Sequence, residues 1–513
     1  MNSVGQKERA TQDRVVRLFQ DHLDYGYLGN WESRQNNRNI EEGLLTTFLS
    51  RQGYNNALIN KVLQVLSKEA ALGGGKNLYD ANKAVYRLLR YGVKIKEGAG
   101  EQNQTVWLID WKNPENNHFA IAEEVAIKGG NSKRPDVVIY VNGIALGVLE
   151  LKRSKVAVGK GIRQNLDNQK KEFIPHFFAT QQLVMAGNDT EGLRYGTIET
   201  PEKHYLTWKE QNPAWQPGLS VEDKFLPGDG CDRSDNPLDC ALLRFCDKAR
   251  FLELIHDFIV FDSGIKKTCR QNQYFGVKAA RKRIAERNGG IVWHTQGSGK
   301  SLTMVWLAKW IRENISDARV VIITDRTELD EQIEKVFNGV DETIFRASSG
   351  AQLISTLNSS EEWLICSLVH KFSRRSEKED DQATDDFIEA MKKSLPHQFR
   401  AKGELFVFVD ECHRTQSGKL HKAMKAILPS ALFIGFTGTP LLQNDKKKSI
   451  EVFGRFIHTY KPDEAVNDKV VLDLRYEARD VGQNVTDQAR VDDWFEVKTR
   501  GLSAIAKSQL KQK

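Results

Sequence analysis

Three residues in the first third of the chain have the types and spacing for phosphodiester chemistry. Asp136 opens an apolar strand, and a second strand beyond Asn142-Gly143 ends Glu150-Leu151-Lys152. Two carboxylates and a backbone carbonyl offer hard oxygens to Mg²⁺. An ion so held activates a water and stabilises charge on the phosphodiester. Lys152 can orient or deprotonate that water, or neutralise the developing negative charge. The chemistry depends on strand register. Residues i and i+2 share a face, so Glu150 and Lys152 already agree. A plain two-residue turn at Asn142-Gly143 pairs Val141 with Ile144 and hence Asp136 with Leu149, on the wrong face. The shared site therefore predicts a one-residue bulge or a three-residue turn, either of which sets Asp136 opposite Glu150.

A second constellation lies downstream. WHTQGSGKSLTM (Trp293–Met304) places GSGKS between an apolar strand and an amphipathic helix. Gly297, Ser298 and Gly299 can turn backbone N–H groups around phosphate oxygens, and the helix N-terminus adds its positive dipole end. Lys300 can reach the β and γ phosphates of ATP, and Ser301 can ligate Mg²⁺. His294 stands where such loops usually begin with glycine. FVFVDECHRTQSG (Phe406–Gly418) delivers Asp410 and Glu411 from a strand end. Asp410 would hold the magnesium and Glu411 would polarise the attacking water. GFTGTPL (Gly435–Leu441) puts Thr437 and Thr439 beyond another strand, where they can sense the nucleotide. Asp325, Arg326 and the stretch SLVHKF (Ser367–Phe372) leave further strand ends and could meet a nucleic-acid backbone.

The elements that must position these residues read as α/β throughout. Residues 12–50 read as helical, including Ile40–Tyr54. Short strands follow from Gln104 to Leu151, then a helix over Lys160–Phe178 ended by Pro175. From about residue 270, uninterrupted apolar strands alternate with helices, the pattern of a parallel sheet covered on both faces. KVVLDLRYEAR (Lys469–Arg479) reads as the start of another strand. Basic residues Lys278, Arg281, Lys282, Arg283 and Arg287 read as a solvated helix face rather than a DNA patch.

The 513 residues allow about two to four domains. A net charge of +7 is small for this length, so it neither demands nor excludes a nucleic-acid partner. Six scattered cysteines with no C-x-x-C pair suggest free thiols in a reducing cytoplasm. No apolar run approaches a membrane span, and the N-terminus lacks a secretory core.

The stations GSGKS, DECH and GFTGTPL resemble superfamily 2 helicases and translocases. That resemblance implies ATP bound in the first of two RecA-like domains, with Gln273 on the adenine and an arginine finger supplied by the second. The P-D-x(13)-E-x-K spacing resembles PD-(D/E)xK nucleases. A nuclease-like hairpin before a DECH motor resembles the layout of type I restriction enzyme R subunits, and stretches between residues 130 and 480 agree. The resemblance implies a nuclease domain over 1–255, a first RecA-like domain over 256–465 and the start of a second over 466–513. It implies Mg²⁺ and ATP as cofactors. The implied partners are duplex DNA and the methyltransferase and specificity subunits, with no membrane. It implies ATP-driven translocation of duplex DNA and cleavage when translocation is blocked. The family also carries a Gln-x-x-x-Tyr element after the lysine. Here Gln169 is followed by Phe173 and Gln164 by Asn168, so Gln169 is the candidate and Gln164 its rival. The chain reads as ending within the second motor domain, so poor hydrolysis by 1–513 alone is expected. Two alternatives are a translocase with an inactive hairpin and a non-enzymatic DNA-binding fragment.

Overall fold

The computed structural model describes residues 8–96, 102–210, 236–324, 327–339, 342–358, 362–368, 386, 388–397, 399, 401–412, 415–439, 450, 452–473 and 488–511. The chain divides into two compact units, Met1–Val471 and Leu472–Lys513.

Within the first unit, one seven-stranded mixed sheet carries the hairpin. Its strand order is β1-β4-β5-β6-β7-β8-β9. The strands are β1 (Gly26–Asn30), β4 (Phe119–Glu123), β5 (Val137–Val141), β6 (Ile144–Leu151), β7 (Leu183–Asn188), β8 (Gly192–Gly196) and β9 (Leu206–Thr207). A small ribbon, β2 (Val93–Ile95) with β3 (Gln104–Val106), stands apart from it. Every residue of β4 to β7 is buried, as expected of strands covered on both faces. Four helices precede the hairpin: α1 (Glu8–Asp21), α2 (Glu42–Arg51), α3 (Asn56–Ala70) and α4 (Leu78–Tyr91). Asn55 and Asn77 start the last two by accepting the N–H groups of Leu58 and Asp80. Helix α5 (Val158–Asn168) packs on β6 and β7.

A second seven-stranded sheet is parallel throughout, in the order β14-β15-β13-β16-β17-β12-β18. It comprises β12 (Gly290–His294), β13 (Ala318–Thr324), β14 (Phe345–Ala347), β15 (Leu364–Leu368), β16 (Glu404–Val409), β17 (Leu432–Thr437) and β18 (Phe456–Tyr460). Helices α6 (Pro237–Phe245) and α7 (Lys248–Asp257) and a ribbon of β10 (Ile259–Asp262) and β11 (Ile265–Thr268) lead from the first sheet to the second. Helices α8 (Gln271–Ala285) and α9 (Lys300–Asn314) flank β12 in sequence. The second unit contains helices Gln488–Lys498 and Ala504–Lys511.

Five sequence expectations fail in whole or in part over the described residues. Residues 12–50 are not helical throughout, because Gly26–Asn30 pairs parallel with β4 around a bulge at Tyr27/Gly29, where Gly29 takes a left-handed φ of 111°. The helix expected to run to Phe178 ends at Asn168, with a separate 3₁₀ turn over Pro175–Ala179. The Gln169 side chain bonds back to the Asn165 carbonyl and accepts the Glu199 N–H, which closes the helix end early. Of the strand expected over Lys469–Arg479, residues 469–473 form none, and residues 474–479 lie outside the described residues. Lys469 is left-handed, and the N–H of Val470 folds back onto the Ala465 carbonyl. The basic run on α8 is not solvated as a whole. Lys278 and Arg281 pair with Glu253, and Arg281 also pairs with Asp257. Cys240 is disulfide-bonded, whereas Cys246, Cys269, Cys366 and Cys412 are free and buried.

Candidate active sites on two sheets

The hairpin has the irregularity that the chemistry requires. Asn142 and Gly143 both take positive φ, 52° and 83°, as a tight two-residue turn demands. Val141 faces Ile144 and Tyr140 faces Ala145, but Ile139 then faces Gly147. Leu146 is the extra residue of a bulge. Below it Val137 faces Leu149, so Asp136 continues the ladder opposite Glu150.

The three side chains meet. The Lys152 ammonium lies 2.8 Å from Glu150 Oε1 and 3.9 Å from Asp136 Oδ2. It also bonds to the Leu151 carbonyl at 2.8 Å. Asp136 Oδ2 accepts the Leu151 N–H at 2.7 Å, which fixes that carboxylate to the end of β6. Glu150 is fully buried, and its Oε2 has no hydrogen-bond partner. Burial raises the pKa of Glu150 well above the carboxylate range, and the neighbouring Asp136 charge adds to the rise. Burial likewise raises Asp136, against the pull of Lys152. Burial disfavours the Lys152 charge, but Glu150 and Asp136 outweigh it and raise its pKa. A dry carboxylate pair with an orphaned oxygen is what a hard cation would relieve, so these residues fit Mg²⁺.

Several residues around this site had no clear signal in the sequence. Glu8, the first residue of α1, reaches Lys152 at 3.0 Å. Gln12, one turn later, donates to buried Glu123 and lies 3.4 Å from the Asp136 carbonyl. Gly161 brings α5 against the aliphatic stems of Glu150 and Lys152. The period of TQDRVVRLF marks α1 as amphipathic but not as a neighbour of the hairpin. Gln169 spends its amide on Asn165 and Glu199 rather than on the three residues, and Gln164 is half-buried.

On the second sheet, the turn after β12 is built on glycine. Gly297 and Gly299 have φ of 81° and 92°. The Ser298 hydroxyl and N–H both go to the Thr295 carbonyl, so this side chain braces the loop. Lys300 opens α9, with Ser301 next, where helix N–H groups lack intrahelical acceptors. Its ammonium is 3.7 Å from Glu411 Oε1. Asp410 is buried at the end of β16, and Glu411 follows in a left-handed conformation with φ 46°. Beyond β17, the Gly438 N–H points to Glu411 Oε2 at 3.4 Å, and the Thr439 N–H to the buried Thr437 hydroxyl at 3.3 Å. The third station thus touches the second. Gln273 is buried, with Oε1 on the Arg270 N–H and Nε2 on the Gly299 carbonyl at 2.9 Å, so it holds the glycine loop directly. His294 is fully buried, 2.9 Å from His458, and burial keeps both rings neutral. Asp325, Arg326 and most of Ser367–Phe372 lie outside the described residues.

Comparison with known proteins follows the same division. Residues 5–203 match the type I restriction enzyme R protein N terminus family (HSDR_N), and residues 272–508 match the SWI2/SNF2 ATPase family. The chain thus carries, in succession, a segment that matches HSDR_N and one that matches SWI2/SNF2 ATPases. The HSDR_N match spans the hairpin site, and the ATPase match spans both the glycine loop and Asp410-Glu411.

Among curated relatives, a putative type I restriction enzyme endonuclease subunit of Methanocaldococcus jannaschii is 29% identical over 434 residues, covering 79% of this chain and 39% of its own. A type I restriction enzyme endonuclease subunit of Haemophilus influenzae is 28% identical over 445 residues, with the same coverage. The chain thus spans about two fifths of the length of these relatives. A solved SWI2/SNF2 ATPase core of Sulfolobus solfataricus with dsDNA aligns with a TM-score of 0.27 and 16% identity, over 38% of this chain and 36% of that one. No described helix is long and apolar enough to cross a membrane.

Proposed function

We propose that this chain is the nuclease and first motor part of the restriction subunit of a type I restriction enzyme. The observation that carries the reading is the buried Asp136–Glu150–Lys152 group, with one Glu150 oxygen unpartnered, on a chain that also holds an ATPase loop. Residues 1–255 form the nuclease, 256–465 the first RecA-like motor domain, and 466–513 begin the second. The enzyme acts on duplex DNA in the cytoplasm, together with methyltransferase and specificity subunits.

Asp136, Glu150 and the Leu151 carbonyl would hold Mg²⁺. When bound, the ion supplies Lewis-acid polarisation of the phosphodiester and a more acidic water. Lys152 keeps its proton beside two carboxylates, so it serves as a fixed positive charge for the oxyanion rather than as the base. Gln169 braces the helix that covers the site. In the motor, Lys300 binds the β and γ phosphates, while Ser301 and Asp410 would hold a second Mg²⁺. Glu411 orients the attacking water, and the Gly438 N–H lets the Thr437–Thr439 turn follow its position. Gln273 sits on the adenine side and ties that contact to Gly299 through its amide.

The test is plasmid cleavage with Mg²⁺ and ATP by the parent-length subunit assembled with methyltransferase and specificity subunits. Cleavage should stop in Glu150→Ala while ATP consumption continues. Undiminished cleavage by Glu150→Ala would sink the nuclease assignment. ATP consumption without cleavage by the unaltered assembly would leave a translocase with an inactive hairpin.

A further inference from the structure

A cavity of about 580 Å³ lies where the first sheet's helices meet the far end of α9. That end is roughly 20 Å from Lys300, by helical rise, so the cavity is separate from the ATP loop. Its size suits a small ligand, and pockets of this kind favour domain junctions.

The walls are aromatic. Trp107, Trp111, Trp310 and Tyr54 line it, and Trp107 keeps 45% of its surface exposed. The polar groups divide unevenly. Each acid on the wall is already satisfied. Asp110 accepts the N–H groups of Lys112 and Asn113 and the Asn116 amide. Glu253 is held by Tyr274, Lys278 and Arg281. Asp257 is held by His256 and Arg281. Of the donors, Trp111 Nε1 gives to the Leu89 carbonyl, Asn314 to the Trp310 carbonyl and Arg90 Nε to the Tyr91 hydroxyl, which leaves two cationic groups with donors to spare. Arg90 is buried and gives Nη2 to Glu313 at 2.6 Å, but its Nη1 has no hydrogen-bond partner, the nearest carboxylate being Asp257 at 4.0 Å. Lys112 stands exposed at the rim with no ion pair to a described residue.

A ligand that complements this cavity presents a flat ring to the tryptophans, an acceptor to Arg90 and a negative charge to Lys112. We infer that the cavity is a nucleotide site, taking one base and its phosphate either as a free nucleotide or as an unstacked unit of a nucleic-acid strand. The inference goes beyond the proposed function and stands without it. Tryptophan faces accept any base, whereas the buried guanidinium would prefer one with an exposed carbonyl or ring nitrogen.

The experiment is calorimetric titration of the 513-residue chain with dAMP, repeated in Trp107→Ala, Lys112→Ala and Lys300→Ala, and then in competition with the single strand (dA)8. Trp107 is half-exposed, so its removal leaves the fold intact. Saturable dAMP binding should persist in Lys300→Ala and weaken about tenfold in Trp107→Ala. Lys112→Ala should weaken it several-fold and flatten its salt dependence. Displacement of dAMP by (dA)8 assigns the site to a strand. Failure of (dA)8 to compete assigns it to a free nucleotide. The inference falls if dAMP does not bind at all. It falls equally if binding is lost in Lys300→Ala yet unchanged in Trp107→Ala, which would place the nucleotide in the glycine loop.

Discussion

The two candidate sites solve opposite problems. The hairpin site is made of ionisable side chains that are buried before any ligand arrives. Glu150 has no exposed surface, and Lys152 answers Glu150, Asp136 and Glu8 at once. The glycine loop is made of backbone. Gly297 and Gly299 supply shape, and the Lys300 ammonium stands 3.7 Å from Glu411. A side-chain site must be assembled by register and is sensitive to each charge in it. A backbone site is assembled locally and is sensitive to conformation. Substitutions should therefore behave differently in the two.

The largest effect should come from the hairpin. Glu150→Ala removes a carboxylate of the proposed metal site. Lys152→Ala leaves two buried acids with no cation. In the parent assembly each should lower DNA cleavage at least about a thousand-fold, with ATP hydrolysis within twofold of the unaltered enzyme. Equal loss of hydrolysis would erase the contrast between the sites.

Acid should separate the two sheets next. His458 is held neutral by burial, its pKa lowered from 6.5 to about 4, and His294 against it is lowered too. The unfolded chain therefore takes up protons before the folded one as pH falls. Stability present above pH 6.5 is lost on the way down to about pH 4, by about 3 kcal/mol for His458. The hairpin has the opposite sign. Asp136 and Glu150 bind protons more readily when folded, so their sheet gains stability as pH falls through those raised values. Urea midpoints at pH 7, 5.5 and 4.5 should drop, and the drop should shrink in His458→Gln. Amide exchange, corrected for its intrinsic rate, should quicken in β12 and β18 before β5 and β6. The reverse order would mean that the carboxylate pair governs.

Lys300→Ala should weaken ATP binding by about fifty-fold, the scale of a lost charge-assisted phosphate contact, with little change in unfolding midpoint. Fluorescent-nucleotide titration measures it. A large loss of stability instead would show that Lys300–Glu411 holds the motor together.

The same contrast explains what the sequence revealed. GSGKS and DECH were legible because a backbone site and its strand ends are written in consecutive residues. The apolar runs Gly290–His294, Glu404–Val409 and Leu432–Thr437 were legible for the same reason. At the hairpin, the need for a bulge could be deduced from the faces, but Leu146 as its position could not. That choice depends on packing: Gly147 lies against Ile139 and Phe251. Glu8 and Gln12 were invisible because they reach the site through tertiary packing of α1. His458 lies 164 residues from His294, and nothing local marks the pair. The strand at Gly26–Asn30 was missed because GYLGN has weak β-propensity and forms only by pairing with β4. The register of Asn142-Gly143 nonetheless gives the contrast its finest test.

Gly143 and Gly299 both take left-handed φ, near 83° and 92°, so alanine strains each by about 1–2 kcal/mol. Their surroundings differ. A Cβ at Gly143 would lie 2.6 Å from the Glu41 carbonyl oxygen and 2.7 Å from Leu44 Cβ, neither of which can yield without moving α2. A Cβ at Gly299 would meet the Gln273 amide at 2.5 Å, the tip of a side chain that can swing aside. Gly143→Ala should therefore cost more stability, about 2–3 kcal/mol by urea unfolding, and leave ATP affinity unchanged. Gly299→Ala should cost about 1 kcal/mol and weaken ATP binding about tenfold, because the displaced Gln273 no longer holds the loop. Equal stability losses with unchanged affinity would mean that Gln273 does not shape the glycine loop. The backbone site would then be set by its glycines alone.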